Sequence, residues 1–230
     1  TGYPYHEGVS EVAFRKCVVE RYPRDSFTIA DKLPLFSITE ESQLEPIFSQ
    51  QLERCGVEYF DYYLMHNVSG FSEKGWLDVD SFSFVNKKKE EGYIKHLGLS
   101  THADAEFLDN ILTVHPEMEF VLLQINYLDW EDEGIESRKC YEVARKHKKP
   151  VMIMEPFKGG FLAEVPKEAE KLINVTKESF FRGIEYDDGS ETLNELSFGI
   201  RDIVQVLLIS LLAFIVILPD IKLPSIESTT

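Results

Sequence analysis

The sequence predicts an α/β fold built on a parallel sheet, and three observations carry this prediction. Short apolar runs that resemble strands alternate with helical patterns, and the connections between them are short. The strand runs are continuously apolar, which is typical of a parallel sheet covered on both faces. No Gly-x-Gly-x-x-Gly follows any strand, so the fingerprint of a doubly wound dinucleotide-binding sheet is missing. A doubly wound sheet and a (β/α) barrel both fit the alternation of strands and helices, but the missing fingerprint favours the barrel.

The helices are predicted from their capping residues and apolar spacing. Ser10 is expected to cap a first helix that runs to about Glu20. Thr39, followed by acidic residues, begins a second helix that ends at Gly56. Three further helices are expected over residues 82–91, 103–112 and 135–146.

Five strands are predicted, and each leads into a polar side chain. The strands cover residues 27–30, 62–66, 94–99, 120–125 and 151–154. The polar residues at their carboxyl ends are Lys32, His66, Ser100, Gln124 and Glu155. In a barrel these ends meet at one mouth, where the chemistry is placed. Taken alone, each has an ordinary structural interpretation, such as a core histidine or a capping serine, but the set together indicates a site.

A tyrosine beside this set suggests a definite chemistry. Tyr5 lies in the loop that precedes the first helix. A nearby ammonium group stabilises a phenolate, which makes a tyrosine a better acid. With Lys32 beside Tyr5, and with His66 to orient an oxygen, such a site can protonate a carbonyl while hydride arrives at carbon. The hydride would come from a cofactor, and Ser100 and Gln124 are suited to bind its carboxamide.

Composition narrows the functional classes. The 230-residue chain carries a formal net charge of -16, which argues against non-specific binding to nucleic acid. Its three cysteines, Cys17, Cys55 and Cys140, are far apart, which argues against a disulfide framework and a metal site. A reducing, cytoplasmic compartment is therefore expected.

The ordered set of motifs resembles the aldo-keto reductase family over roughly residues 1–173. Each motif is weak alone, but the ordered set is specific. The matching segments are Thr1-Gly2-Tyr3-Pro4-Tyr5 with residues 6–11, Ala30-Asp31-Lys32, Tyr62-Tyr63-Leu64-Met65-His66, Leu97-Gly98-Leu99-Ser100, residues 123–127, and Met154-Glu155-Pro156-Phe157-Lys158-Gly159-Gly160. The Glu-Pro-x-Lys-Gly-Gly form is similar to a microbial branch, some members of which append an iron–sulfur segment. No cysteine cluster for such a segment occurs here.

The resemblance implies a TIM-type (β/α)8 barrel that reduces an aldehyde or ketone to an alcohol with NADPH. It implies that Tyr5 is the proton donor, that Lys32 makes Tyr5 more acidic, and that His66 orients the carbonyl. The expected partner is a small carbonyl substrate, with no nucleic acid and no membrane.

The resemblance also implies a set of cofactor contacts. Ser100 and Gln124 match the positions that hold the nicotinamide amide, and Thr101 stands where many members have asparagine. Met154 falls near the position where members usually stack a ring on the nicotinamide. The loop expected to line the cofactor phosphates contains Phe157, Lys158, Gly159 and Gly160.

Both ends of the chain depart from the family pattern. The family's catalytic aspartate directly precedes the threonine that matches Thr1. The first strand, most of the second and the eighth are not recognisable, so the barrel is expected to be N-terminally truncated and incomplete. Residues 174–230 form an unassigned tail with an apolar run at 203–218. Its alternatives are a buried final helix or strand pair, a membrane-associated tail, or sequence foreign to the family. A catalytically inactive barrel remnant is therefore the alternative to an active reductase.

Overall fold

The computed structural model describes residues 1–163, and a five-stranded parallel sheet is its centre. The strands are β1 (Ala30–Leu33), β2 (Phe60–Met65), β3 (Ile94–Ser100), β4 (Phe120–Gln124) and β5 (Val151–Met154). Each strand pairs in parallel with the next along the chain, in the order β1-β2-β3-β4-β5. A doubly wound sheet reverses its order at a switch point, whereas a barrel does not. The predicted fold class, an incomplete (β/α)8 barrel, is confirmed.

Helices connect the strands on the outer face of the sheet. Their bounds are α1 (Tyr5–Gly8), α2 (Ser10–Phe14), α3 (Leu44–Cys55), α4 (Ser81–Glu90), α5 (Ala105–Val114) and α6 (Ser137–Lys146). The short α1 is irregular, because His6 and Glu7 have positive φ angles of 54° and 58°. A π-helical turn, Arg15–Val19, continues α2. Each connection between consecutive strands therefore carries one α-helix, α3 to α6 in turn, as crossovers between parallel strands require.

The strand register separates two faces of the sheet. Tyr63, Met65, Leu97 and Leu99 pack with helical side chains such as Phe48 in one buried core, which defines the outer face. Side chains alternate along a strand, and residues paired in register share a face. Lys32 pairs with Leu64, Leu64 with Gly98, Ser100 with Leu122, and Gln124 with Met154. All of these positions therefore belong to the opposite, inner face, where the interior of a barrel would be.

Three sequence predictions are wrong: the first strand and the caps of two helices. The first strand covers Ala30–Leu33 rather than residues 27–30, so Lys32 lies inside the strand. The Asp61 carboxylate accepts the Ile29 backbone N–H (2.9 Å), which takes the place of a ladder hydrogen bond before the strand begins.

The helix caps also differ from the prediction. Ser10 is the first residue of α2 and does not cap it, since the cap position is Val9 and no side chain bonds there. Glu40, not Thr39, forms the capping box of the turn before α3, and Gln43 reaches back to it. Gly56 does end α3, with a left-handed φ of 69°.

Gly98 marks a point where two strands of the sheet approach closely. A Cβ at this position would lie 2.6 Å from both the ring Cζ and the carbonyl oxygen of Phe120. We expect Gly98→Ala to lower the free energy of unfolding by about 1–3 kcal/mol, because neither strand can move without losing ladder hydrogen bonds. Urea denaturation measures the change. Gly70→Ala is the matched control, since a Cβ there meets nothing within 4 Å; equal losses in the two variants would contradict the packing argument.

Part of the sequence prediction lies outside the described residues. The proposed boundary at residues 173–174 and the apolar run at 203–218 belong to this part. Within residues 1–163, no helix combines the length and the apolar character needed to cross a membrane.

Candidate active site

Lys32 reaches the inner face from the third position of β1. Its backbone is fixed from behind by α3, because the Gln51 side-chain amide donates a hydrogen bond to the Lys32 carbonyl (2.8 Å). Gln51 is fully buried, and its Oε1 accepts from the Tyr63 hydroxyl (2.5 Å). The lysine therefore starts from a rigid point of the sheet even though its ammonium group lies near the surface.

His66 follows β2 directly. Its backbone N–H donates to the Leu33 carbonyl (3.1 Å), which extends the pairing of β1 and β2 by one residue. The imidazole packs edge-on against two rings, Tyr5 and Phe36, each with a centroid distance of 5.6 Å. These contacts hold the imidazole at the carboxyl end of the sheet.

The Tyr5 hydroxyl is the atom at which these groups meet. Lys32 Nζ donates a hydrogen bond to it at 2.8 Å, and His66 Nε2 lies 3.2 Å from it. Lys32 Nζ also lies 4.4 Å from the centroid of the Tyr5 ring. The structure thus brings together the three residues predicted to be catalytic, although they are separated by 27 and 61 positions in the sequence.

The histidine of this cluster is held neutral. Burial lowers the pKa of His66 to about 4, and the positive charges of Lys32 and His102 act in the same direction. An unfolded histidine has a pKa of about 6.5. Between these two pKa values the unfolded chain binds more protons at this residue than the folded chain. The free energy of unfolding therefore decreases as the pH is lowered. The contribution is complete above pH 6.5 and is lost as the pH falls to about 4.

An NMR titration tests this state of His66. We expect the imidazole signal to titrate with a midpoint near pH 4 in the folded protein, and near 6.5 in the same protein unfolded in urea. His66→Gln should also lose less stability than the wild type over this pH window, because glutamine does not titrate. A folded-state midpoint near 6.5 would contradict the proposed burial.

Two hydroxyl residues at the carboxyl end of β3, Ser100 and Thr101, anchor the loop that follows His66. Ser100 Oγ accepts the Asn67 backbone N–H (2.8 Å), and its own hydroxyl proton is left to donate. Thr101 Oγ1 donates to the Val68 carbonyl (2.8 Å) and accepts from the Ala103 N–H (2.9 Å). The Ser100 hydroxyl can therefore still bind a ligand, whereas the Thr101 hydroxyl is already engaged on both sides.

Gln124 belongs to a polar network at the ends of β4 and β5. Its Nε2 donates to Asp129 Oδ2 (2.7 Å), which also accepts from Asn126 Nδ2 (2.7 Å). The Lys158 ammonium forms an ion pair with the other oxygen, Asp129 Oδ1. Met154, half-buried, is the register partner of Gln124. Lys158, predicted to line phosphates, is thus paired with a carboxylate in this structure.

The loop after β5 has an open backbone. Lys158, Gly159 and Gly160 have consecutive positive φ angles of 47°, 66° and 98°. A Cβ at either glycine would meet nothing within 4 Å. Phe157, at the start of this loop, is 39% exposed. The Gly160 N–H already donates to the Phe157 carbonyl (2.8 Å), whereas the exposed Gly159 peptide remains accessible to a ligand.

Three residues at the site were not predicted. Phe36 packs on His66, Gln51 fixes Lys32, and Asp129 joins Gln124 to Lys158. Only Asp129 had a visible signal, because an Asn-x-x-Asp sequence after a strand favours a side-chain turn. The other two act through tertiary contacts. No group of three or more His, Cys, Asp or Glu side chains suitable for a metal ion occurs among residues 1–163.

The sheet order and the cluster at its carboxyl edge define a barrel protein with its candidate active site at the barrel mouth. The chain belongs to the aldo/keto reductase family, whose family model matches residues 1–203. Comparison with curated proteins gave no significant match.

Solved structures agree with this fold. A thermostable aldo-keto reductase, Tm1743, crystallised with the inhibitor epalrestat, is 17% identical (TM-score 0.57), with 79% of this chain and 61% of that chain covered. MGS-M4, an aldo-keto reductase from a Medee basin deep-sea metagenome, is 16% identical (TM-score 0.58; 74% and 60%). An aldo/keto reductase from Brucella melitensis is 18% identical (TM-score 0.52; 63% and 53%). The chain thus spans little more than half the length of these proteins, and the likeness concerns the fold.

Proposed function

We propose that the protein is an NADPH-dependent oxidoreductase that reduces the carbonyl group of a small aldehyde or ketone to an alcohol. One observation carries the proposal: the Tyr5 hydroxyl lies 2.8 Å from Lys32 Nζ and 3.2 Å from His66 Nε2. Family membership supports a carbonyl oxidoreductase in general. The proposal includes the roles of these residues and the choice of NADPH. It also includes a cytoplasmic location, which the free thiols of Cys17, Cys55 and Cys140 favour.

Tyr5 is assigned as the proton donor. As the carbonyl is reduced, negative charge develops on its oxygen, and the Tyr5 O–H supplies the proton that neutralises it. This leaves a phenolate on Tyr5. The Lys32 ammonium already donates to that oxygen, so it stabilises the phenolate without any further rearrangement.

His66 is assigned to orientation of the substrate. With a pKa of about 4, only about one imidazole in 10³ is protonated at pH 7. It is therefore a poor proton donor at that pH. A neutral imidazole with Nε2 beside the Tyr5 hydroxyl can instead donate a hydrogen bond to the same carbonyl oxygen and hold it in line with Tyr5.

The residues at the strand ends fit a nicotinamide cofactor. The Ser100 hydroxyl retains its proton, and the Gln124 amide lies on the same inner face. Asn67 Oδ1 and His66 Nδ1 are buried and have no hydrogen-bond partner among the described residues, as expected beside a binding site. The exposed Gly159 peptide suits a phosphate oxygen. When bound, the reduced cofactor supplies the hydride.

The direct test is aldehyde-dependent oxidation of NADPH by the purified protein, followed at 340 nm. We expect turnover with aldehydes as substrates, and weaker activity with NADH. NADPH binding without turnover of any aldehyde or ketone would contradict the assignment and favour a catalytically inactive remnant. The absence of both binding and turnover would exclude the proposed function altogether.

A further inference from the structure

The Asp129 carboxylate is nearly fully buried, at 2% exposure, in the turn that follows β4. It accepts from Gln124 and Asn126 at 2.7 Å each, and from the Lys158 ammonium. Burial by itself raises the pKa of Asp129, but these three hydrogen bonds outweigh it and hold the pKa below the usual value. The carboxylate is therefore ionised at neutral pH and can only accept hydrogen bonds.

An acceptor-only neighbour decides which way a glutamine amide points. The oxygen and nitrogen of such an amide have the same shape, and only their hydrogen bonds distinguish them. Because Asp129 cannot donate, Gln124 must present Nε2 to it, and Oε1 then points away from Asp129. A flipped amide would place two acceptors 2.7 Å apart and leave a buried carboxylate short of one donor.

Asp129 is itself held in place on all sides. Asn126 Oδ1 accepts the backbone N–H groups of Asp129 (2.9 Å) and Leu128 (3.1 Å), which closes a turn after β4. The Asn126 amide also donates to the Glu155 carbonyl (3.2 Å), which joins this turn to the end of β5. The orientation of Gln124 is thus set before any ligand arrives, as a preorganised site requires.

We propose that Asp129 is a positioning residue. By binding Nε2 of Gln124, it leaves Gln124 Oε1 free to accept a hydrogen bond from a ligand N–H group at the barrel mouth. This inference rests on the proposed function, and it narrows the ligand group facing Gln124 to a hydrogen-bond donor such as a primary carboxamide. A ligand that offers only an acceptor at this point is rejected, because Gln124 Oε1 would face another oxygen.

Two dinucleotides that differ at one group test the inference. Oxidised NADP carries a carboxamide, and its 3-acetylpyridine analogue replaces the amide NH₂ by a methyl group. Quenching of protein fluorescence measures the Kd of each. We expect the wild-type protein to prefer the carboxamide by about tenfold, the value of one hydrogen bond. We expect Asp129→Asn to reduce this preference to within about twofold, because asparagine can donate and lets the Gln124 amide turn over.

Control variants separate orientation from general damage. Asp132→Asn changes an exposed aspartate three positions away whose role is only to accept two backbone N–H groups, which asparagine also does, so the preference should stay at the wild-type value. Gln124→Met should lose the preference as Asp129→Asn does, and the double variant should lose no more. If Asp129→Asn does not fold, Asp129→Ser is the second variant; its hydroxyl can also donate, so it should likewise reduce the preference to within about twofold.

The outcomes distinguish the two levels of the proposal. A full tenfold preference in folded Asp129→Asn, or in Gln124→Met, overturns the positioning role. Tight binding of both dinucleotides by the wild type without a preference also overturns it, and leaves the reductase assignment intact. Failure of the wild type to bind either dinucleotide, or 2′-phospho-ADP-ribose, which lacks the ring, overturns the proposed function and this inference with it.

Discussion

Replacing Tyr5 by phenylalanine is expected to lower kcat for carbonyl reduction by on the order of 10²–10⁴-fold. The variant keeps the ring that packs against His66 but removes the hydroxyl to which Lys32 donates. The proton donor is lost, while the groups assigned to the cofactor are untouched. Steady-state kinetics with NADPH and an aldehyde measure the effect, and the Kd for NADPH should change by less than about threefold, since Tyr5 is not assigned to cofactor binding.

Tyr3→Phe is the matched control for this experiment. Tyr3 lies two residues away, and its ring is 5.8 Å from the guanidinium carbon of Arg54, a contact that phenylalanine retains. We expect wild-type kinetics from this variant. If Tyr5→Phe kept most of the wild-type kcat, Tyr5 could not be the proton donor, whatever the fate of the control.

Phe48→Ala is expected to lower the free energy of unfolding by about 3–5 kcal/mol. Phe48 projects from α3 and is 1% exposed. Its ring meets those of Phe60, Tyr63, Phe84 and Tyr93 edge-on, at centroid distances between 5.2 and 6.2 Å. Removing it opens a cavity between α3 and β2, the strand that precedes His66, and the neighbouring rings cannot all move to fill it. Urea denaturation measures the loss.

Phe71→Ala removes the same atoms from the surface. Phe71 is 80% exposed, so its loss should change stability by less than about 0.5 kcal/mol. A difference between the two variants of less than 1 kcal/mol would contradict the packing of α3 on β2.

The sequence was sufficient to predict the fold class and the five strands, because the strands of a covered parallel sheet are continuous apolar runs. The runs that became β2, β4 and β5 were placed to within about two residues. The sequence did not predict the start of β1. Thr28 and Ile29 have strand-like character, but the Asp61 carboxylate, 32 positions from Ile29, takes the place of a strand partner. The caps failed for a different reason, since several residues in a row could serve: Val9 occupies the cap position of α2 without a side-chain hydrogen bond, and Glu40 forms a local capping box with Gln43.

The candidate site was predictable to the extent that it lies at strand ends. His66, Ser100 and Gln124 follow from topology alone, because parallel strands bring their carboxyl ends to one edge. Lys32 lies inside β1, next to its last residue. Residues that act from behind the site were not predictable. Gln51 sits on a helix among ordinary polar residues, and only its burial against Lys32 and Tyr63 reveals its role.

Transfer of deuterium from the cofactor to the product tests the central claim most directly. The protein is incubated with an aldehyde and NADPH that carries two deuterium atoms at C4 of the nicotinamide, and the alcohol is analysed by mass spectrometry. The Tyr5, Lys32 and His66 assignment predicts an alcohol with one deuterium on the former carbonyl carbon, formed at the same rate by the wild type and by Tyr3→Phe and about 10²–10⁴-fold more slowly by Tyr5→Phe. NADPH binding without any deuterated alcohol, or equal labelling by Tyr5→Phe, would contradict it.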